Sequence, residues 1–312
     1  MSPADDVLVL VPDATGEEAL QAVDGVRPVR YDEHGGAEAL PDEASEATVF
    51  VPGFLSAGDA VDLLGSCPKV RLVQLLSAGA EKWVDRVPDG VALSDCQGAH
   101  GGVTAEWVLT ALLAVLREIP RCVRDQDAGE WDQRVTDTLI GKRVLLVGAG
   151  DLADQTARRL EPFDVDTVTR VGRRARDGVH ATSELPDLLP HHDVVVLLVP
   201  LTDETRGMVD AAFLAAMADD AVLVNAARGP VVDTDALRSE LEGRRLRAVV
   251  DVVDPEPLPA DHPLSSAPNL LVTPHIGGSV PGFLDRAYRI VTTQLEAVAR
   301  GEDPPNLVVG QY

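Results

Sequence analysis

Three short segments gather residue types able to move a proton and hold an acid. They are Asn225-Ala226-Ala227-Arg228-Gly229-Pro230-Val231-Val232-Asp233, Asp251-Val252-Val253-Asp254-Pro255-Glu256-Pro257-Leu258-Pro259 and Thr273-Pro274-His275-Ile276-Gly277-Gly278. Between them they offer a guanidinium, a carboxylate and an imidazole, a set suited to reducing a carbonyl acid. Hydride addition to a carbonyl carbon builds negative charge on its oxygen, so a proton donor is needed, and histidine titrates in the useful range. A neighbouring carboxylate favours the imidazolium and fixes its tautomer. A guanidinium pairs bidentately with a 2-oxo acid and polarises its carbonyl. Taken singly, each has a plainer reading: a salt-bridge arginine, a loop histidine, a solvated glutamate between prolines. Their order, each after a strand-like run, outweighs those readings.

A fourth segment, Val144-Leu145-Leu146-Val147-Gly148-Ala149-Gly150-Asp151-Leu152-Ala153, sets G-x-G-x-x-A directly after a strand pattern and before a helical one. Gly148 permits a tight turn, Gly150 lets the backbone approach a pyrophosphate, and Ala153 takes the third place, where helix packs on strand. The helix N-terminus then presents N–H groups to phosphates. Such a turn also arises for steric reasons alone; the strands before and after it favour dinucleotide binding. An acid about twenty residues on would bond both ribose hydroxyls of NAD. Instead the next strand pattern ends Thr169-Arg170-Val171-Gly172-Arg173-Arg174-Ala175-Arg176, with four arginines in seven residues and no acid. Guanidinium groups suit a 2′-phosphate. NADP(H) is therefore favoured over NAD(H), with Arg173 and Arg174 as contacts; the alternative is a solvated arginine-rich loop.

These segments need elements to hold them. Val7–Val11 is apolar at every position, as in a parallel strand buried on both faces. Residues 48–51 and 70–76 repeat the pattern, with helical spacing at 17–23 and 57–64, so the first hundred residues read as a small α/β unit. Residues 104–117 form a long buried helix, ended by Ile119-Pro120, and a polar segment, 121–134, follows with Trp131 in it. Strand patterns at Arg143–Val147, 165–170, 194–199, 221–225, 248–252 and Leu270–Val272 then alternate with helical stretches, a doubly wound parallel sheet. A last helix covers 284–300 and a tail 304–312.

Composition removes several classes of function. Lys and Arg number 27 against 51 Asp and Glu, a net charge of −24. That sign disfavours nucleic acid, whose binding needs clustered cations to release counterions, and an anionic membrane surface. Apolar runs such as 194–200 fall far short of the ~20 residues of a membrane span. Cys67, Cys96 and Cys122 are isolated, without metal-ligand spacing, which argues against a disulfide framework or metal site and fits a reducing cytoplasm. Residues 1–6 carry two acids and no basic stretch, so no signal peptide is read there. The expectation is a soluble, cytoplasmic protein of two domains.

The sequence resembles the D-isomer-specific 2-hydroxyacid dehydrogenases, the family of glyoxylate/hydroxypyruvate reductases and phosphoglycerate dehydrogenases. The motifs A-R-G-x-x-V-D at 227–233, D-V-x-x-x-E-P at 251–257 and T-P-H-I-G-G at 273–278 carry the resemblance, with support from Leu75-Leu76-Ser77-Ala78-Gly79-Ala80 and residues 98–116. It implies Arg228 as the catalytic arginine, His275 as the acid/base and Glu256 as its support. Backbone amides around Ala78 and Gly79 would receive the substrate carboxylate, with His100 near a domain cleft. Asp151 and Leu152 would face the pyrophosphate, Pro200 and Leu201 the adenosine side, Ala226 the nicotinamide, and Asp251 its carboxamide. The implied fold is a doubly wound dinucleotide-binding domain, residues 100–279, inserted into a smaller flavodoxin-like α/β substrate domain of residues 1–99 plus 280–312. Helix 104–117 would cross between them, segment 121–138 would make a homodimer, and closure on a small 2-oxo or 2-hydroxy acid would exclude water. Pocket residues would come from 51–55, 77–80 and a partner loop. Ala153 for the third glycine, Asp151 in the turn and the missing ribose acid depart from the family pattern. Two alternatives stand: a dinucleotide sensor, which has no need of the catalytic trio, and a same-fold dehydrogenase of formate or phosphite. Formate enzymes usually pair the histidine with Gln, so Glu256 speaks against the second.

Overall fold

A computed structural model describes residues 6–54, 56 and 59–309 of the chain. The first five residues of the stretch read for a signal peptide, Leu55 of the expected pocket, the first two residues of the helix at 57–64 and the last three of the tail lie outside the described residues. The chain divides into two compact units, Met1–His100 with Pro281–Tyr312, and Gly101–Val280.

In chain order the first unit holds β1 (Val7–Val11), α1 (Ala14–Gln21), β2 (Val26–Arg30), β3 (Val49–Phe50), α2 (Asp59–Leu63), β4 (Leu72–Gln74) and β5 (Ala92–Ser94). The strands form one sheet in the order β2-β1-β3-β4-β5, every pair parallel. β1 is buried throughout because both faces are covered. Val7, Val9 and Val11 pack with Leu20 on one side, while Leu8 and Leu10 pack with Phe50 and Leu63 on the other. β2 was not anticipated, since Val26-Arg27-Pro28-Val29-Arg30 has no apolar run. It occupies the sheet edge, where a proline costs no interior ladder bond.

The second unit holds α3 (Gly101–Leu116), α4 (Ile119–Ala128), β6 (Arg143–Val147), α5 (Asp151–Leu160), β7 (Thr167–Gly172), β8 (His180–Ala181), α6 (Leu185–Leu188), β9 (Val194–Leu197), α7 (Ala211–Ala216), β10 (Val222–Asn225), α8 (Thr234–Glu242), β11 (Arg247–Val250) and β12 (Leu270–Val272). Its parallel sheet runs β12-β11-β10-β9-β6-β7-β8. Alternate strand residues feed two cores, as a doubly wound sheet requires. Val144, Leu146, Val194, Val196, Val222 and Val224 meet Val108, Leu112, Ala157 and Leu160 of α3 and α5. Leu145, Val147, Val195, Leu197 and Leu223 meet Phe213, Leu214, Leu237 and Leu241 of α7 and α8. The chain then returns to the first unit as α9 (Phe283–Ala299), which lays Tyr288, Val291 and Leu295 on the Val7–Val9 side of that sheet.

The polar segment 121–134, for which no helix is expected, is largely helical, because α4 occupies most of it. Its signals were legible: Pro120 in the first turn and Gly129 closing the helix at φ +70°. Glu118, at φ +51°, separates α4 from α3. α3 itself starts at Gly101, three residues before the expected start. Trp131 is 95% exposed, so packing within its own chain is excluded. Among the described residues no helix is long and apolar enough to cross a membrane.

At the amino ends of β6 and β9, Arg143 grips Asp193 through Nε at 3.1 Å, Nη2 at 2.9 Å and the backbone N–H at 2.8 Å. The guanidinium holds the Asp193 carboxyl down at about 2. A carboxyl lowered on folding contributes stability above its unfolded value, near 4, and that contribution disappears as pH falls toward 2. With both side chains partly exposed, the contribution is discounted to roughly 1–2 kcal/mol. Asp193→Asn is expected to lower urea stability by that amount at pH 7 and to match the wild type at pH 2. A constant gap across that range would show that the pair does not act through ionisation.

Candidate active site

Sheet register sets the site. Val147, Leu197, Asn225, Val250 and Val272, the last residues of β6, β9, β10, β11 and β12, are paired neighbours across the sheet. Adjacent strands lie about 4.8 Å apart, so the five loops that follow leave one line about 19 Å long. Those loops carry the glycine turn, Pro200 and Leu201, Ala226 to Arg228, Asp251 to Glu256, and His275. Ligands of open α/β sheets bind along such a line of carboxyl ends.

At its β12 end, His275 Nδ1–H donates to Glu256 Oε1 at 2.7 Å. Both side chains remain partly open to solvent. With Nδ1 committed, Nε2 is the nitrogen left for a reacting oxygen. The loop that aims the imidazole is held by Asp251, which is buried. Its Oδ1 accepts from Thr273 Oγ1 at 2.5 Å and Ile276 N at 2.9 Å, its Oδ2 from Gly277 N at 2.7 Å, and its carbonyl from His275 N at 2.8 Å. His275 itself takes φ +54°, an uncommon conformation for a residue with a Cβ. Sequence reasoning placed Asp251 near the site and missed this grip on the His275 loop.

Arg228 leaves the end of β10 half-buried, and its Nη1 donates to the Ala227 carbonyl at 2.7 Å. The next residue must be glycine: a Cβ on Gly229 would stand 2.0 Å from the Val253 carbonyl oxygen. That close approach seats the Arg228 loop on the one carrying Glu256. Asn225 is buried under the same turn, bonded to Ala227 N and to the Arg228 carbonyl.

At the other end of the line, Gly148 has φ +134°, and a Cβ there would meet the Leu198 carbonyl at 2.5 Å. Gly150 caps α5, whose first ladder bond is Asp154 N to Gly150 O, so the N–H groups of Asp151, Leu152 and Ala153 have no partner within the helix. Ala153 is buried against the sheet, where its methyl fits. This turn suits a pyrophosphate. Asp151 turns its carboxylate aside: Oδ1 accepts from Gln155 Nε2 at 3.2 Å and Oδ2 lies where a Cβ of Gly101 would stand. The arginine cluster separates into roles. Arg170 pairs with Asp154, Arg176 Nη2 donates to the Ala149 carbonyl across the turn at 2.8 Å, and Arg173 and Arg174 are exposed with no acceptor among the described residues. Arg176 was visible in the sequence only as one of the cluster. Pro200 lies exposed after β9, its carbonyl bonded by Thr205 Oγ1, while Leu201 and Ala226 are half-buried.

In the first unit, Ala78 and Gly79 form the loop after β4. Ser77 Oγ donates to the Gly79 carbonyl at 3.1 Å, and His100 Nε2–H donates to the Leu76 carbonyl at 3.0 Å. Burial pushes the His100 imidazole below the ordinary histidine range. Its ring meets Phe54 edge-on, and Phe54 packs against Phe283 with ring centroids 4.7 Å apart and planes tilted by 52°.

A parallel doubly wound sheet, a glycine turn shaped for a pyrophosphate and an imidazole–carboxylate pair on the same line of strand ends define a dinucleotide-dependent oxidoreductase. Comparison with known proteins narrows the class. The family model described as D-isomer specific 2-hydroxyacid dehydrogenase, NAD binding domain, matches residues 109–277. A glyoxylate reductase of Thermofilum pendens is 33% identical over 263 residues, 79% of this chain and 77% of that one. A D-3-phosphoglycerate dehydrogenase of Methanocaldococcus jannaschii is 29% identical over 97% of this chain, which spans 59% of that longer protein. A D-isomer specific 2-hydroxyacid dehydrogenase from Xanthobacter autotrophicus Py2, solved with NADPH and MES, superposes with a TM-score of 0.82 at 30% identity, covering 98% of both chains. The chain belongs to the D-isomer specific 2-hydroxyacid dehydrogenases.

Proposed function

We propose that the protein reduces a small 2-oxo acid to the D-2-hydroxy acid with NADPH. The observation that carries this reading is the 2.7 Å His275–Glu256 pair, borne on β12 and β11, the two strands next in order after β10, which bears Arg228. NADPH supplies the hydride when bound. His275 then gives a proton from Nε2 to the carbonyl oxygen, and Glu256 stabilises the imidazolium before transfer. Arg228 pairs with the carboxylate and polarises the carbonyl. The backbone amides at Ala78 and Gly79 and the His100 side chain are the first unit's candidates for substrate binding. Gly148, Gly150, Asp151 and Leu152 hold the pyrophosphate through their backbone, and Pro200 and Leu201 line the adenosine. Ala226 borders the nicotinamide. Asp251, with three of its roughly four acceptor positions used by the His275 loop, has one left for the carboxamide.

Glyoxylate and hydroxypyruvate are the first substrates to try, glyoxylate supported by the likeness to the Thermofilum glyoxylate reductase. Assaying a panel of 2-oxo acids with both cofactors tests the whole reading. Binding of NADPH without reduction of any of them would favour a sensor.

NADPH preference rests on Arg173 and Arg174, and the Xanthobacter structure carries that cofactor. Charge-assisted contacts at ~1.5–3 kcal/mol each, reduced by phosphate desolvation, give a preference of about ten- to a hundredfold. The double substitution Arg173→Ala/Arg174→Ala is expected to remove most of it, read as the ratio of kcat/KM with NADPH to that with NADH. An unmoved ratio would return the loop to a solvated role.

The protein acts as a homodimer in the cytoplasm. Ile119 and Val123 on α4, with Trp131 and Val135 beyond it, leave large apolar side chains exposed in one segment, as an interface core does. Sedimentation of the wild type should give twice the chain mass, and Trp131→Ala/Val135→Ser should give one. A monomeric wild type would sink the dimer, and cell fractionation checks the compartment.

A further inference from the structure

We infer that Asn225 is the positioning residue for Arg228, an inference that rests on Arg228 being the group that grips the substrate. Asn225 ends β10 and is 1% exposed, so each polar atom of its side chain must find a partner inside the protein. Its Oδ1 accepts from Ala227 N–H at 3.0 Å and its Nδ2 donates to the Arg228 carbonyl at 3.1 Å. One amide thus spans the turn, tying the 226–227 peptide before Arg228 and the 228–229 peptide after it.

The consequences follow along the backbone. Arg228 takes an extended conformation, φ −143° and ψ 151°, within the short stretch that these two bonds span. Its guanidinium stem is bent back over the turn, with Nη1 on the Ala227 carbonyl at 2.7 Å. The carbonyl of Asn225 accepts from Asp251 N–H at 3.0 Å, and Asp251 in turn holds the His275 loop. Asn225 therefore keys the arginine to the strand that keys the histidine. Serine is too short to span the turn. Aspartate keeps the acceptor for Ala227 but sets a carboxylate oxygen against the Arg228 carbonyl. Only a side chain with one donor and one acceptor at this reach satisfies both ends.

A double-substitution cycle tests this on the holoenzyme. Asn225→Asp is expected to lower kcat/KM for the 2-oxo acid by about 10²-fold, the scale of a misplaced positioning group, with NADPH affinity unchanged. Asn225→Ser, the milder change, is expected to lie between it and the wild type. In an Arg228→Ala background neither substitution should cost more, because no guanidinium remains to be placed. Oxalate binding to the enzyme–NADPH complex, measured by calorimetry, should repeat the pattern without turnover. Losses that multiply in the double variant, in a wild type that reduces 2-oxo acids, would overturn the inference and leave the functional reading intact. A wild type that neither reduces a 2-oxo acid nor binds oxalate would overturn that reading and this inference with it.

Discussion

His275→Ala is expected to lower kcat for 2-oxo acid reduction by about 10²–10⁴-fold, the usual contribution of a general acid, while NADPH still binds. The size of the effect follows from what alanine leaves behind. Charge still develops on the carbonyl oxygen, but the proton must come from water, and the Glu256 carboxylate that stood 2.7 Å from Nδ1 has lost its partner. Cofactor binding survives because the glycine turn belongs to the β6–α5 connection, four strands away along the sheet order from β12. Stopped-flow reduction and NADPH fluorescence on the same preparation separate the two effects. Turnover within a few-fold of wild type would remove His275 from proton transfer. Glu256→Gln should fall between them, since glutamine keeps a hydrogen-bond acceptor but not the charge.

The second large effect is expected from Arg228→Lys, which preserves charge and should still cost about 10²-fold in kcat/KM. A carboxylate and a carbonyl are held at once by the planar fork of a guanidinium; an ammonium offers a point charge on a flexible stem. The local geometry adds to the loss. Arg228 already gives Nη1 to the Ala227 carbonyl, and a lysine making that bond has no second nitrogen for the substrate. Arg228→Ala sets the floor of the scale. Should the lysine variant keep near-normal efficiency, point charge alone would suffice and the bidentate grip would be wrong.

Much of this was legible because the relevant physics is local. The apolar run Val144–Val147 followed by Gly148-Ala149-Gly150 is a buried parallel strand meeting a turn without side chains, and both steps are written in adjacent residues. Leu270–Val272 and Arg143–Val147 were placed to the residue for the same reason. β2 was not, because Arg27, Pro28 and Arg30 suit a strand only at a sheet edge, and edge or centre is a property of the whole sheet. α4 was not, because Ile119-Pro120 reads as the end of α3 and the polar helix that follows buries no residue of its own.

By itself, the sequence determined the kind of chemistry: an arginine, a glutamate and a histidine, each after a strand, beside a glycine turn. Tertiary structure decided which of them meet. Glu256 and His275 are nineteen residues apart, and they touch because β11 and β12 are parallel neighbours in a register that ends both at one level. It also decided which groups hold them. Asp251 and Asn225 look in the sequence like polar residues closing apolar strands. Folding buries them, and a buried amide or carboxylate must then find partners in the loops that bear Arg228 and His275. The same holds for the four clustered arginines. Composition makes them equal, while the fold gives Arg170 to Asp154 and Arg176 to the Ala149 carbonyl, leaving Arg173 and Arg174 exposed without a protein acceptor among the described residues. Residue type sets what a side chain can do, and burial and register set whether it is already engaged.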